Sequence, residues 1–189
     1  MRLENSFEVP APPEEAWTLL LDVPRVVPCM PGATLTETID ESHWKATVAV
    51  KLGPVALTFL ADVAREEEDP EARRVRLVAN ARDTRGRGSV NATIDSSLVP
   101  VDAGTRVDIV TDLQLSGPAA QFGRSVVPTV AAQLTAEFAE CLKRQLAPPA
   151  GTANGAGDVG AHGEPAAERA EPLHGFALLW RSILRRFRR

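Results

Sequence analysis

Six consecutive strand-like segments followed by one long helical segment constrain the fold of this chain more than any other feature. The segments lie at about 33–40, 43–52, 55–67, 73–85, 88–99 and 104–116. Each alternates apolar and polar residues, and short turns such as Asp69-Pro70 and Gly86-Arg87-Gly88 separate them. Strands that are joined by such short turns pair in the antiparallel sense.

The flanking segments complete an α+β fold. Residues 3–9 predict a first strand, Pro12 and Pro13 open a helix, and residues 24–28 predict a short helical turn. After Gly117-Pro118, apolar residues at a spacing of four predict a helix over about 119–146, in which Pro128 should cause a kink or a break. We therefore expect a seven-stranded antiparallel sheet curled around a long C-terminal helix.

Small residues at inward positions of the predicted sheet raise the question of a cavity. They are Ala33, Ala46, Ala61, Ala79, Ala81 and Ala92. Native cores pack to a density of about 0.74, so alanines that face a helix would leave an apolar void. The alternative is that the helix sits closer to the sheet and the alanines belong to a filled core.

The predicted cavity is lined by apolar side chains of the strands, the helix and the Pro-Gly loop that precedes the second strand. They are Met30, Pro31, Ala33, Val48, Val50, Leu57, Phe59, Leu77, Ala79, Ala81, Ala92, Ile94, Ile109, Leu113, Phe122, Val126 and Val130. Among these residues, Met30, Phe59, Phe122 and Val126 are the first choices for contact with a hydrophobic small molecule.

Catalytic and metal sites find little support in the residues. Asp95, Asp108 and Asp112 fall out of phase with the apolar strand face, and Arg82 and Asp83 suit a structural ion pair at a strand end. The chain has no tyrosine, and its three histidines are scattered, so we expect neither an enzyme nor a metal site.

The two cysteines, Cys29 and Cys141, match no metal-ligand or redox spacing. We interpret this usage as typical of a reducing compartment, and Cys29 as a packing residue.

Nucleic acid is an improbable partner on charge grounds. Several arginines lie between residues 73 and 87, but a run of acidic residues at 66–71 compensates them, and residues 1–146 carry a net charge of −6. The simplest interpretation is a solvated surface of balanced charge, and the alternative is a docking patch for a protein of complementary charge.

The C-terminal part of the chain predicts a linker and a membrane anchor. Residues 147–172 are rich in Ala, Gly and Pro and predict a disordered linker, whereas residues 173–189 contain five arginines and no acidic residue. On a helix, the apolar and basic residues of the tail fall on separate faces, which indicates binding to an anionic membrane surface. The predicted membrane-binding residues are Leu173, Phe176, Trp180, Arg181, Ile183, Leu184, Arg185, Arg186 and Phe187. The alternative for this basic helix is an acidic partner protein.

The location of the protein is also an expectation from sequence. The tail is too short and too charged to span a bilayer, which takes about 20 mainly apolar residues. The first residues contain no apolar run of the signal-peptide type. We therefore expect a peripheral protein on the cytoplasmic side of the cell membrane.

Four motifs resemble one known family. The run from Asp22 to Ala33, which contains Cys29-Met30-Pro31-Gly32, resembles the hallmark segment of the CoxG family of carbon monoxide dehydrogenase subunits. The segment Asn5 to Pro12, the Gly53-Pro54 hairpin and the segment Gly117 to Gly123 are similar to that family as well. The resemblance covers about residues 1–146, which we take as one domain. It implies the helix-grip fold of the START-like (SRPBCC) superfamily.

The resemblance also implies a function. It is that of an accessory protein that recruits a molybdenum hydroxylase of the CO dehydrogenase type to the cytoplasmic membrane. Since proteins of the superfamily often hold ligands in a cavity, it further suggests a lipid-like isoprenoid quinone, menaquinone or ubiquinone, which would link the enzyme to the respiratory quinone pool. The family offers no catalytic motif. Two alternatives remain: a structural membrane adaptor with a filled core and no ligand, and a START-like enzyme such as a cyclase or hydrolase that depends on Asp83 or Arg82.

The anchor makes a direct prediction. The full chain should co-sediment with anionic liposomes, because each surface arginine contributes roughly 1 kcal/mol of attraction, whereas a chain that ends at Ala170 should stay in the supernatant. Neutral liposomes serve as the control. Equal sedimentation of both chains with the anionic liposomes would remove the anchor.

Overall fold

The computed structural model describes residues 1–52 and 55–147, without the side chains of residues 52, 119 and 122–125. Seven strands run through it: β1 (Arg2–Val9), β2 (Ala33–Thr38), β3 (His43–Leu52), β4 (Val55–Asp69), β5 (Arg74–Asp83), β6 (Ser89–Val101) and β7 (Gly104–Leu115). Three helices accompany them: α1 (Pro13–Leu21), α2 (Val23–Val26) and α3 (Pro118–Leu146), with a 3-10 turn (Val27–Cys29) after α2. The predicted Gly53-Pro54 turn, the linker beyond residue 147 and the tail lie outside the described residues.

The strands form one antiparallel sheet in the order β1-β7-β6-β5-β4-β3-β2. Strands β2 to β7 follow one another as hairpins, which short turns dictate. The first strand instead pairs with the last one, and α1 and α2 carry the chain from β1 across to β2 at the opposite edge. The sheet is therefore open, with β1 and β2 at its edges, and the predicted α+β fold with seven strands and a long C-terminal helix is confirmed.

One face of the sheet carries the apolar side chains, and α3 packs on this inner face. A first buried cluster joins α1, α2 and the C-terminal half of α3 to β1, β6 and β7, and it includes Trp17, Val107, Phe138 and Leu142. Phe7 of β1 meets Phe138 edge to face, with ring centroids 5.9 Å apart. This cluster fixes the C-terminal half of α3 on the sheet.

A second buried cluster lies on the other half of the inner face. Leu57, Phe59, Ala61 and Ala81 form it, and Val126 and Val130 from the N-terminal half of α3 pack against its rim. The helix is therefore held at two places along its length.

Two expectations from the sequence need correction. Helix α3 is continuous from Pro118 to Leu146 with Pro128 inside it, so of the two outcomes expected at Pro128, a kink or a break, the break is absent. Proline lacks an amide hydrogen, so one backbone bond is missing there, and Val126 and Val130 on either side of it pack against the second cluster.

The interpretation of the cysteine usage also needs correction. Cys29 and Cys141 form a disulfide, with Cα atoms 5.3 Å apart, although 112 residues separate them in sequence. Cys29 is buried in the first cluster, as a packing residue would be, but it is not a free thiol. The cysteine usage therefore does not support a reducing compartment.

No helix among the described residues is long and apolar enough to cross a membrane.

The first cluster generates a prediction about stability. Leu142 keeps 1% of its surface exposed, so Leu142→Ala should lower the free energy of unfolding by about 2–5 kcal/mol through lost burial and the cavity left behind. The matched control is Leu60→Ala, because Leu60 is 57% exposed on the outer face and its truncation should change stability by less than about 0.5 kcal/mol. Urea denaturation measures both. Equal losses would contradict the placement of the core.

Candidate ligand site between the sheet and the long helix

The backbone of α3 does not follow the sheet evenly. Its backbone comes close to β1, and also to β3 and β7, whereas it meets β4 and β5 through the side chains of Val126 and Val130. The helix is therefore attached to the sheet at two places, through the first cluster and through the second.

Small side chains occupy the middle of the sheet beneath α3. Ala46, Ala61 and Ala81 lie side by side in one cross-strand row, and Ala79 and Ala92 lie side by side in the next. All five point to the inner face, since they share the phase of Phe59 and Val75. Four of them are buried, and Ala61 and Ala81 belong to the second cluster, against which Val126 and Val130 of α3 pack, whereas Ala79 is half-buried.

Most of the predicted cavity residues are only partly buried. Of the predicted cavity residues, Leu57, Phe59, Ala81 and Ala92 are buried, whereas Pro31, Ala33, Val48, Val50, Leu77, Ala79, Ile94, Ile109, Leu113, Val126 and Val130 are half-buried. Met30 is 37% exposed on the loop after the 3-10 turn, and the side chain of Phe122 lies outside the described residues. The predicted membrane-binding residues of the tail also lie outside them.

Three inward residues in the middle of the sheet keep solvent-accessible surface. In a filled core, inward residues of a central strand approach the burial of Val107 or Leu142, each 1% exposed. Here Ala79, Ile94 and Leu113 lie between the two buried clusters, belong to neither, and keep accessible surface. We call the region under α3 around these three residues the central cleft.

Two inward residues at the β3–β4 side of the central cleft were not predicted from the sequence. Trp44 is 3% exposed, and the guanidinium of Arg65 lies over its ring, 5.7 Å from the centroid. Arg65 also pairs with Glu68 at 3.2 Å and donates a hydrogen bond to the carbonyl oxygen of Glu41 at 2.8 Å. The side chain of Arg65 is thus fixed as a polar boundary of the apolar region.

Thr111 is a polar residue of the inner face that was not predicted either. It lies opposite Ile94 of β6 and Leu3 of β1, in phase with the inward Leu113. The residue is half-buried, and its side chain lies on the apolar inner face. A hydroxyl in this position can donate to a polar atom of a molecule in the central cleft.

Asp83 is a structural anion. Its carboxylate accepts hydrogen bonds from the Arg87 guanidinium at 2.9 and 3.1 Å and from the backbone amides of Arg85 and Arg87. The Arg87 guanidinium holds the pKa of Asp83 well below its ordinary value, and the carboxylate in turn raises the pKa of Arg87. Because it stays ionised and fully engaged, Asp83 is poorly suited to donate a proton in catalysis.

The ion pair shapes one end of the inner face. Arg87 also donates to the carbonyl oxygen of Ala56 at 3.3 Å, which ties the β5–β6 hairpin to β4. Gly117, with φ of 69°, lies so close to this hairpin that a Cβ there would overlap the carbonyl oxygen of Arg87. Arg82 is exposed on the outer face, and the ion pair at this strand end joins Asp83 to Arg87 and not to Arg82.

The remaining strand carboxylates lie on the outer face, as their phase predicted. Asp95 pairs with Arg76 at 2.7 Å, Asp108 with Arg106 at 3.1 Å, and Asp112 lies 4.0 Å from Arg2. The described residues contain no group of three or more His, Cys, Asp or Glu side chains that could hold a metal ion.

Comparison with known proteins agrees with this architecture. The sequence model of the CoxG family of carbon monoxide dehydrogenase subunits matches residues 6–147. No curated protein matches the sequence significantly.

Solved structures share the fold at low sequence identity. A conserved protein from Geobacillus kaustophilus is 24% identical, with a TM-score of 0.68 over 77% of this chain and 95% of that one. A START superfamily protein from Mycobacterium smegmatis is 16% identical, with a TM-score of 0.52 over 77% and 96% of the two chains. The Zhui aromatase/cyclase from Streptomyces sp. R1128 is also 16% identical, with a TM-score of 0.53 over 77% and 95%. These likenesses confirm the START-like fold.

The Asp83–Arg87 pair predicts a pH-dependent contribution to stability. A lowered native pKa means that the ionised form stabilises the fold above the unfolded-state pKa and that this stabilisation disappears as the pH falls through the native pKa. Asp83→Asn should therefore be less stable than the parent chain at neutral pH, and the difference should shrink below about pH 4.

Urea midpoints measured from pH 7 downward test this behaviour. Asp102→Asn, in the exposed β6–β7 turn, serves as the control and should track the parent chain. A difference for Asp83→Asn that stays constant with pH would show that the carboxylate charge contributes nothing.

Proposed function

The chain belongs to the CoxG family of carbon monoxide dehydrogenase subunits, and we propose that it is an accessory protein that binds a hydrophobic, lipid-like ligand in the central cleft. The observation that carries this proposal is the partial burial of Ala79, Ile94 and Leu113 beneath α3. Apolar surface that the protein's own side chains leave partly accessible is the surface that an apolar ligand would bury.

The chemistry of the central cleft favours a mainly hydrocarbon molecule with a polar group. Its floor is alanine and its walls are Leu, Ile and Val, which suit an isoprenoid or acyl chain through burial worth about 25 cal/mol per Å². The hydroxyl of Thr111 can donate a hydrogen bond to a carbonyl oxygen. Both features fit an isoprenoid quinone, and we propose menaquinone or ubiquinone as the ligand.

The family supplies the partner part of the proposal. We propose that the protein recruits a molybdenum hydroxylase of the CO dehydrogenase type to the cytoplasmic side of the cell membrane and links it to the respiratory quinone pool. The basic amphipathic tail supports attachment to an anionic membrane surface as a peripheral protein. A bound quinone would then lie near both its membrane source and the enzyme.

The alternatives differ in what fills the central cleft. A structural adaptor would tether the enzyme with a filled core and without ligand. An enzyme would need a reacting group in the central cleft. The fold similarity to an aromatase/cyclase is the reason to consider this class. Asp83 and Arg82 do not provide such a group, because the first is locked in an ion pair and the second faces solvent.

A pair of alanine substitutions tests the proposal. Ala79→Phe places a ring in the central cleft, so it should leave the free energy of unfolding nearly unchanged while abolishing binding of added menaquinone or ubiquinone. Ala16→Phe is the matched control, because Ala16 is 1% exposed in the first cluster and overpacking there should cost about 1–3 kcal/mol. Urea denaturation measures stability, and quenching of tryptophan fluorescence measures binding.

The same protein samples separate the alternatives. Native mass spectrometry of the full chain should show a co-purified prenyl lipid that is absent from Ala79→Phe. A filled core predicts instead that both substitutions destabilise the protein and that neither preparation carries or binds a lipid.

A further inference from the structure

The disulfide joins two elements next to an open surface cleft. Cys29 ends the 3-10 turn and Cys141 lies in the last two turns of α3, and the cleft between them is bordered by Pro28 and Pro31 on one side and by Glu137, Glu140 and Arg144 on the other. Both cysteines contribute to the lining of this cleft. A reagent from solution can therefore approach the bond directly.

The two sulfurs differ in their surroundings. Cys29 is 4% exposed and belongs to the first buried cluster, whereas Cys141 is half-buried at the rim of that cluster. Attack on a disulfide requires access to one sulfur along the line of the bond, and the other sulfur leaves as a thiolate. Exposure makes Cys141 the sulfur that is attacked and Cys29 the leaving group.

A hydrogen-bond donor supports this direction. The side-chain amide of Gln145 lies with its Nε2 3.2 Å from Cys29 Sγ and also donates to the carbonyl oxygen of Arg25 at 3.1 Å. The second bond holds the amide beside the sulfur, where it can stabilise negative charge on a departing thiolate.

We propose that Cys29–Cys141 is a site of thiol–disulfide exchange that opens by attack of a dithiol reductant on Cys141 Sγ. The attacking thiolate forms a mixed disulfide with Cys141 as the Cys29–Cys141 bond breaks, and Cys29 leaves as a thiolate that takes up a proton. The second thiol of the reductant then attacks the mixed disulfide and releases Cys141. In total, two electrons and two protons pass from the dithiol to the protein, and the reductant becomes a cyclic or intramolecular disulfide.

Reduction of the disulfide would remove one of the links between α3 and the loop from Cys29 to Gly32. The far end of the loop stays fixed, because Ala49 donates its amide hydrogen to the carbonyl oxygen of Gly32 at 2.8 Å and a Cβ at Gly32 would overlap that strand. The exposed Met30 lies between these two fixed points. Thiol–disulfide exchange therefore removes the attachment at Cys29 while the attachment at Gly32 remains. In a reducing compartment, disulfides of this kind are usually transient.

Single-cysteine variants test which sulfur is accessible. In the full chain, Cys29→Ser leaves the Cys141 thiol and Cys141→Ser leaves the Cys29 thiol, and both lack the disulfide equally. With 5,5′-dithiobis(2-nitrobenzoate), the Cys141 thiol should react at least about tenfold faster than the Cys29 thiol. Equal rates, or a faster Cys29, would overturn the assignment. Far-ultraviolet circular dichroism establishes whether both variants are folded.

A second pair of variants keeps the disulfide intact and does not depend on the first test. Gln145→Glu places a carboxylate beside the leaving sulfur and should slow reduction of the bond by dithiothreitol at least about threefold. Gln121→Glu makes the same charge change at an exposed residue near the start of α3, 20 positions before Cys141, and should leave the rate unchanged. Equal rates for the two variants would refute the role of Gln145.

The number of free thiols tests the disulfide itself. The oxidised full chain should contain no free thiol, and two should appear after dithiothreitol treatment. Two free thiols that persist in the presence of oxidised glutathione would overturn the proposal. None of these readouts requires a ligand, so they can fail or succeed independently of the proposed function.

Discussion

The structure depends on how α3 is attached to the sheet. Its C-terminal half is fixed by Phe138 and Leu142 in a buried cluster shared with β1 and α1, and its N-terminal half rests through Val126 and Val130 on Leu57 and its neighbours. Between the two clusters, Ala79, Ile94 and Leu113 keep accessible surface. The space proposed for a ligand therefore lies between the two places where large residues hold the helix.

Polar groups are arranged so that this space stays apolar. The strand carboxylates pair with arginines on the outer face, and the one buried carboxylate among the described residues, Asp83, is neutralised by Arg87 at the end of the inner face. Arg65 is held over Trp44 by Glu68 and a backbone carbonyl, away from the alanine rows. What remains toward the middle is alanine, leucine and isoleucine with the Thr111 hydroxyl. This distribution suits a molecule with a long hydrocarbon part and a small polar end.

Much of the fold follows from local signals in the sequence. The alternation of Val75, Leu77, Ala79 and Ala81 and the short turns define strands and their antiparallel pairing, and the spacing of four over residues 126–146 defines α3. The inward positions of Trp44 and Arg65 are also predictable in principle, because they continue the phases of Ala46 and Val63. Because Trp44 is much larger than the residues around it and Arg65 is charged, the phase that they share with these residues is not obvious in the sequence.

Other features can be recognised only in the three-dimensional fold. The pairing of β1 with β7 and the bond between Cys29 and Cys141 join residues about a hundred positions apart, and no local pattern specifies either. The distance of α3 from the alanines is of the same kind, since alanine at a strand position fits both a close helix and a distant one. Only the height of the helix, set by residues elsewhere, separates a filled core from a cleft.

Xenon binding tests most directly whether an apolar void lies under α3, because xenon enters apolar voids and needs no specific contacts. Crystals of the protein pressurised with xenon should show a bound atom under α3, within van der Waals contact of Ala79, Ile94 or Leu113. Side chains that fill the region, with xenon absent from it, would contradict a ligand site between the sheet and the helix.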